Sequence, residues 1–197
     1  MKARVMRQVL ENSIRDEWDD GREYLGMSAI GQCPRKLYND LVDGRRRPSD
    51  RGLRYCHEGY LHERDVIERL EAAGVPVLNQ QRELVAEFDE RFRGHIDGEV
   101  DGDLLEIKSV EDYNALDNVR ERGPRSRDRA QVQMYMRYGG YDRALIVYKV
   151  RANGELWVSW VRRDDETGEE LERKARSVLE AVDVGEVPEC TCGRCAR

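Results

Sequence analysis

The chain has 197 residues, 38% of them charged, and a formal net charge of −6. That length suits a single domain, long enough for a sheet with helices packed on it. The acidic balance excludes a simple basic nucleic-acid coat, while leaving room for local cationic patches that bind phosphate.

The first stretch, about 3 to 20, reads as a charged helix with Val5, Val9, Leu10 and Ile14 on one side. Its opening residues, Met1-Lys2-Ala3-Arg4-Val5-Met6, lack a signal-peptide core. No apolar run along the chain approaches the ~20 residues of a membrane span. The expectation is a cytoplasmic protein (in the host cytoplasm if virus-encoded) with no membrane association. Five cysteines in a reducing compartment then point to metal ligation or reactive thiols rather than disulfides.

Gly21 and Gly26 interrupt, and Ser28 is placed to cap a second helix running to about Leu41. That helix carries Cys33-Pro34-Arg35-Lys36-Leu37-Tyr38. A basic loop follows, Gly44-Arg45-Arg46-Arg47-Pro48, either solvated or in contact with phosphate. A third helix is expected over about 58 to 73, with Leu61, Val66, Ile67 and Leu70 as its apolar stripe and Gly74 as its stop. A strand or hairpin arm spans about 75 to 88.

Residues 94 to 109 then read as a β-hairpin. Asp101-Gly102 is a type I′ turn signal, since both central residues of that turn need positive φ. A two-residue turn sets Val100 opposite Asp103, Glu99 opposite Leu104, Asp97 opposite Glu106 and His95 opposite Lys108. Alternation along the strands puts His95, Asp97, Glu106 and Lys108 on one face, with Ile96 and Ile107 turned the other way into a core. Two carboxylates directly opposite each other repel and weaken a hairpin. Keeping them there implies a cation between them, and hard oxygen ligands suit Mg²⁺ or Mn²⁺. Lys108 stands beside that cation, where it can position or polarise an attacking water. A solvated polar face is the plain alternative.

A loop follows, with Arg120, Arg122, Arg125, Arg127 and Arg129 crowded into one stretch. A helix covers about 127 to 138 and stops at Gly139-Gly140. Strands at about 144 to 150 and 155 to 161 are joined across Asn153-Gly154, and a charged helix spans about 166 to 184. The pattern of helices, strands, helix, strands, helix implies an α/β fold with a mixed sheet. The tail holds Cys190, Cys192 and Cys195, too crowded for a disulfide framework but suited to thiolate ligation of one metal centre.

Gly94-His95-Ile96-Asp97, then Glu106-Ile107-Lys108, then Gln131 and Tyr135 resemble the RecB-type branch of the PD-(D/E)XK nucleases. Gly59-Tyr60-Leu61-His62 resembles that branch's histidine motif on the preceding helix. The resemblance covers about 28 to 197. It implies a single nuclease domain over 1 to 197, a restriction-endonuclease-like mixed β-sheet flanked by helices. The nuclease core would lie at about 58 to 163, with helical ends at about 28 to 57 and 164 to 197. By the same resemblance Asp97 and Glu106 are carboxylate ligands of the catalytic metal, the Ile107 carbonyl adds an oxygen, and Lys108 is the catalytic lysine. His62 is the further metal ligand, with Glu63 its rival for an acidic role. Gln131 and Tyr135, one helical turn apart, line the DNA path.

Cys33 ahead of Pro-Arg-Lys-Leu-Tyr resembles the N-terminal cluster cysteine of the CRISPR-associated Cas-four-type exonucleases, and AddB-type recombination nucleases share that arrangement. The implied cofactor is a four-iron four-sulfur cluster on Cys33, Cys190, Cys192 and Cys195, tying the two ends of the chain together. The family usually spaces its last three cysteines more widely, which keeps zinc as the competing occupant. Cys56 is the odd thiol, read as a small buried residue or as a replacement for Cys33.

The expected activity is metal-dependent hydrolysis of DNA, from single strands or frayed ends, with CRISPR adaptation or recombination proteins as possible partners. Arg45 to Arg47 and Arg120 to Arg129 would grip phosphates. The rival is a non-catalytic cluster-bearing DNA-binding subunit.

Overall fold

The computed structural model describes Met6 and residues 23–44 and 48–195. The expected first helix and Arg45 to Arg47 lie outside the described residues. Among the described residues from 23 on, five longer helices and seven strands follow in the order β1 (Leu25–Gly26), α1 (Pro34–Val42), α2 (Asp50–Ala72), β2 (Glu83–Ala86), β3 (Asp89–His95), β4 (Gly98–Val100), β5 (Asp103–Val110), α3 (Tyr113–Arg122), α4 (Ser126–Gly139), β6 (Arg143–Val150), β7 (Leu156–Arg162) and α5 (Asp165–Val184). A 3₁₀ turn, Met27–Ala29, links β1 to α1.

The expected mixed sheet is two mixed sheets. One has three strands in the order β1-β3-β2, and the other has four in the order β4-β5-β6-β7. The chain crosses from the first to the second between His95 and Gly98. The β4–β5 hairpin forms in the expected register, with Val100 opposite Asp103, Glu99 opposite Leu104 and Gly98 opposite Leu105. Asp101 and Gly102 both take positive φ, 52° and 82°, as a type I′ turn requires. β5 then pairs in parallel with β6.

Each face of the four-stranded sheet packs a separate apolar cluster. On one face Leu104, Ile146, Tyr148 and Val150 meet Val132, Met134 and Met136 of α4, with Val178 and Leu179 of α5 beyond. On the other, Leu105, Ile107 and Val147 meet Val66 and Ile67 of α2. Helix α4 is therefore enclosed between the sheet and α5, and every residue from Ala130 to Met136 is buried.

Local chemistry corrects several sequence boundaries. Helix α2 begins at Asp50, well before 58, because Ser49 caps it by accepting from the Gly52 amide at 3.2 Å. Ser28 sits within the 3₁₀ turn, and Cys33 is the residue that precedes α1, with Pro34 at its first turn. The stretch after Ser109 contains a helix, α3, capped by Asp112 through the Ala115 amide at 2.9 Å and anchored by buried Leu116 and Val119.

Candidate active site and cysteine cluster

Where β3 hands over to β4, the chain opens a cleft of about 460 Å³. Its floor carries Asp97, Glu106 and Lys108. One wall is α2, with Cys56, Gly59, Tyr60 and Glu63. The other is formed by Tyr24, Gly26, Arg93 and Gly94, and Gln131 and Tyr135 close the back.

Three elements place the charged groups. Glu106 and Lys108 are two apart on β5 and so share a face. Asp97 ends the sheet-to-sheet crossing, where its Oδ2 accepts from the Ile107 amide at 2.6 Å. That bond ties the Asp97 side chain to β5 beside Glu106, just past the last ladder pair, Gly98 opposite Leu105. Glu63 enters from α2, with its Oε1 accepting from Gln81 at 2.8 Å.

Glu106 is 1% exposed. Its Oε1 takes hydrogen bonds from Gln131 Nε2 at 2.8 Å and from Lys108 Nζ at 2.5 Å, and Lys108 also donates to Gln131 Oε1 at 3.0 Å. Gln131 thus fixes both the carboxylate and the ammonium through its amide. Glu106 Oε2 is buried with no hydrogen-bond partner among the described residues. A buried carboxylate oxygen left bare beside two more carboxylates is costly unless a cation meets it. The donor set therefore fits a hard divalent ion.

The electrostatics agree. Burial, reinforced by Glu63, pushes Asp97 up to about 7. Burial, reinforced by Asp97, pushes Glu106 up to about 8. Burial also raises Glu63. Lys108 is raised despite its own burial, because Glu106 and Asp97 hold its proton. Without a cation the cluster retains protons that a bound metal would displace.

His95 and His62 are not where the sequence put them. β3 bends away at Ile96, so His95 pairs with Glu83 of β2 instead of facing Lys108, though it still borders the cleft. His62 is absent from the cleft lining and Glu63 takes that place. One residue on a helix is a turn of about 100°, which carries His62 towards Lys149, Arg151 and Asp65. Burial together with Lys149 lowers its pKa. The side chain of Ile107 packs in the α2-facing core. Gln131 and Tyr135 are both buried and both border the cleft. Gly94 is needed beside them, since a Cβ there would lie 2.7 Å from the Tyr135 ring.

Arg120 is committed elsewhere. It bonds to Glu155 at 2.5 Å and Asp117 at 3.2 Å and stacks on Trp157. None of Arg120, Arg122, Arg125, Arg127 or Arg129 borders the cleft. Arg127 instead lines a smaller neighbouring pocket with Tyr24 and Ser28.

Outside the cleft lining, Cys33, Cys190, Cys192 and Cys195 converge, with all four sulfurs within 4.8 Å of one another. Cys190 and Cys192 are 3.7 Å apart, and Cys192 and Cys195 are 3.5 Å apart. Burial opposes ionisation of Cys33, but hydrogen bonds from Thr191 and the Arg35 backbone outweigh it and bring the thiol to about 5. Arg35 donates to the Pro188 carbonyl at 2.9 Å, and Lys174 of α5 donates to the Ile30 carbonyl at 2.7 Å. The first bond ties the tail to α1, and the second ties α5 to the segment before α1. Cys56 is exposed on α2 and lines the cleft, neither buried nor part of the sulfur group.

Solved structures of exonucleases share this fold. The structure is similar to that of LHK-Exo in complex with dAMP, with a TM-score of 0.67 at 18% identity over 86% of this chain and 93% of that one. The alkaline exonuclease LHK-Exo from Laribacter hongkongensis gives 0.66 at 17%, over 83% and 89%. A phage-related exonuclease from Haemophilus somnus 129PT gives 0.61 at 15%, over 80% and 81%. No protein-family model and no curated protein matches the sequence. Among the described residues, no helix is long and apolar enough to cross a membrane.

Proposed function

We propose that the chain is a PD-(D/E)XK-type, metal-dependent deoxyribonuclease of the RecB-like branch, hydrolysing phosphodiester bonds at single-stranded or frayed DNA ends. The carrying observation is the bare, buried Oε2 of Glu106, in an open cleft that Asp97, Glu63 and Lys108 also line. The fold shared with exonucleases supports the reading. Asp97, Glu106 and Glu63 would hold Mg²⁺ or Mn²⁺, with the Ile107 carbonyl as a further oxygen. When bound, such an ion lowers the pKa of water and stabilises charge on phosphate oxygens. Lys108, held by Gln131 and Glu106, keeps its proton and offers an ammonium to the attacking water or the phosphate. Gln131 and Tyr135 shape the back of the strand's path.

The four thiolates are proposed to hold a structural metal. Four sulfurs bonded to one tetrahedral ion at about 2.3 Å stand about 3.8 Å apart, close to the 3.5 and 3.7 Å found here. A four-iron four-sulfur cluster gives each thiolate its own iron and needs the sulfurs farther apart. The spacing therefore favours a single ion, zinc, over the iron cluster that the resemblance implies.

End-labelled linear DNA and closed circular DNA, each incubated with Mn²⁺ or Mg²⁺, test the activity. Linear strands are expected to be degraded to short products while closed circles persist. Circles cut as fast as linear DNA would make the enzyme an endonuclease.

Metal affinity should rise with pH. Asp97 and Glu106 sit at about 7 and about 8, above the ~4 of unfolded carboxyls. Raised carboxyl pKa values stabilise the metal-free fold below ~4, and that stability is lost as pH climbs through 7 to 8. A bound cation removes the penalty. The melting-temperature gain from Mn²⁺ should therefore be larger at pH 8.5 than at pH 6, by about 5 °C. Equal gains at the two values would place the ion elsewhere.

A further inference from the structure

Helix α2 offers more than the carboxylate at its middle. Arg51, Tyr55, Gly59 and Glu63 recur every four residues, so they form one stripe that steps outward from the carboxylate cluster by about 6 Å per position. That step resembles the spacing between successive phosphates of an extended strand.

Gly59 leaves the second position open. A Cβ built there would meet only Ser109 Oγ, at 4.0 Å. Ser109 follows Lys108 and borders the cleft. Its Oγ accepts from Arg151 Nε at 3.1 Å. The Arg151 guanidinium lies over the Tyr55 ring at 4.7 Å, and the Tyr55 hydroxyl accepts from Arg51 Nε at 2.8 Å and Nη2 at 2.6 Å.

Several arginines among the described residues are spent on carboxylates, as Arg91, Arg120, Arg137 and Arg143 are. Among the described residues Arg51 and Arg151 instead bond to uncharged hydroxyls. Arg151 Nη1 is buried with no hydrogen-bond partner among the described residues. Nearby Lys149 is neutralised by Asp65, at 2.5 Å. Two guanidiniums prepositioned on one tyrosine, two to three helical steps from the carboxylates and with Glu111 acting on Arg51, suit an anion.

We propose that Arg151 and Arg51, braced by Tyr55 and Ser109, form a subsite for a DNA phosphate two to three positions along the strand from the one being cleaved. The proposal rests on the nuclease reading and adds to it the direction of the strand along α2, towards Arg51 and away from the arginines of α3.

The test is fluorescence anisotropy of labelled oligothymidylates, from two to six nucleotides, in Ca²⁺ across a salt series, with cleavage in Mn²⁺ measured alongside. In the wild-type protein, affinity should step up when the oligonucleotide gains the phosphate that reaches this subsite. Arg151→Gln and Arg51→Gln should each flatten that step, weaken binding of the longer strands about 10-fold and reduce the salt slope by about 0.7. Arg151→Lys should restore the charge and much of the slope, which a merely structural role for the side chain would not produce. Wild-type affinity, step and slope in both glutamine variants, with Mn²⁺-dependent cleavage present in the wild-type protein, would overturn the subsite alone. Wild-type protein that neither binds nor cleaves DNA would overturn the nuclease reading, and the subsite with it.

Discussion

Replacing Asp97 with Asn is expected to reduce DNA cleavage on the order of 10³-fold or more, about 4 kcal/mol of transition-state stabilisation. Asparagine retains an oxygen that can accept from the Ile107 amide, now at 2.6 Å from Asp97 Oδ2, so the β4–β5 hairpin should survive. What it loses is the charge. Glu106 and Glu63 would then face a divalent ion with one carboxylate fewer. The same change removes the repulsion that raises Glu106, so the metal-free variant should melt higher than wild type at pH 8.5. It should also lose most of the melting-temperature gain from Mn²⁺. Oligonucleotide binding in Ca²⁺ should weaken far less than cleavage, because the strand is held chiefly by arginines. Cleavage by Asp97→Asn at the wild-type rate would remove Asp97 from the site.

The second large effect is expected at Cys33. Its sulfur and those of Cys190, Cys192 and Cys195 lie within 4.8 Å of one another, so a shared ion closes a loop over most of the chain. By analogy with a long-loop crosslink, that constraint is worth roughly 3–5 kcal/mol, or about 10 °C in melting temperature for a chain of this size. Cys33 makes no side-chain capping bond to α1, so alanine removes the ligand and its hydrogen bond from Thr191 while leaving the helix start intact. Cys33→Ala should lose its zinc and melt about 10 °C lower. Cys56→Ala, on an exposed position of α2, should keep both. Protein purified without oxygen should be colourless with about one zinc per chain. Brown protein carrying about four irons would restore the cluster and overturn the reading from sulfur spacing. Full metal and unchanged melting in Cys33→Ala would remove Cys33 from the site.

The hairpin was legible because its information is local. Asp101-Gly102 dictates the turn, the turn sets the register, and the register brings Asp97 beside Glu106. His95 lay beyond that reach. Whether β3 continues into β4 or bends into a second sheet depends on β2, whose Glu83 takes His95 as its partner, and no residue near His95 announces it. The choice between His62 and Glu63 depends on the rotation of α2, which is set by Val66 and Ile67 packing on Leu105 and Ile107. The apolar stripe of α2 does contain that signal, but the resemblance to a histidine motif overrode it. Helix α3 lies where the sequence suggested a loop, although Asp112 as cap and Leu116 with Val119 as buried face are present in the sequence. The cysteine site drew on both ends of the chain, and only the resemblance connected Cys33 to the tail. Charge in a sequence does not reveal its partner: within the arginine stretch, Arg120 is held by Glu155 and Asp117.

The most direct test of the central claim is release of acid-soluble nucleotides from single-stranded DNA in Mn²⁺ and in EDTA, by wild type, Asp97→Asn and Lys108→Ala purified side by side. The account predicts release by the wild-type protein in Mn²⁺ alone, with none in EDTA and almost none from either variant. Wild-type protein that binds DNA but releases nothing in Mn²⁺, or variants as active as wild type, would contradict it.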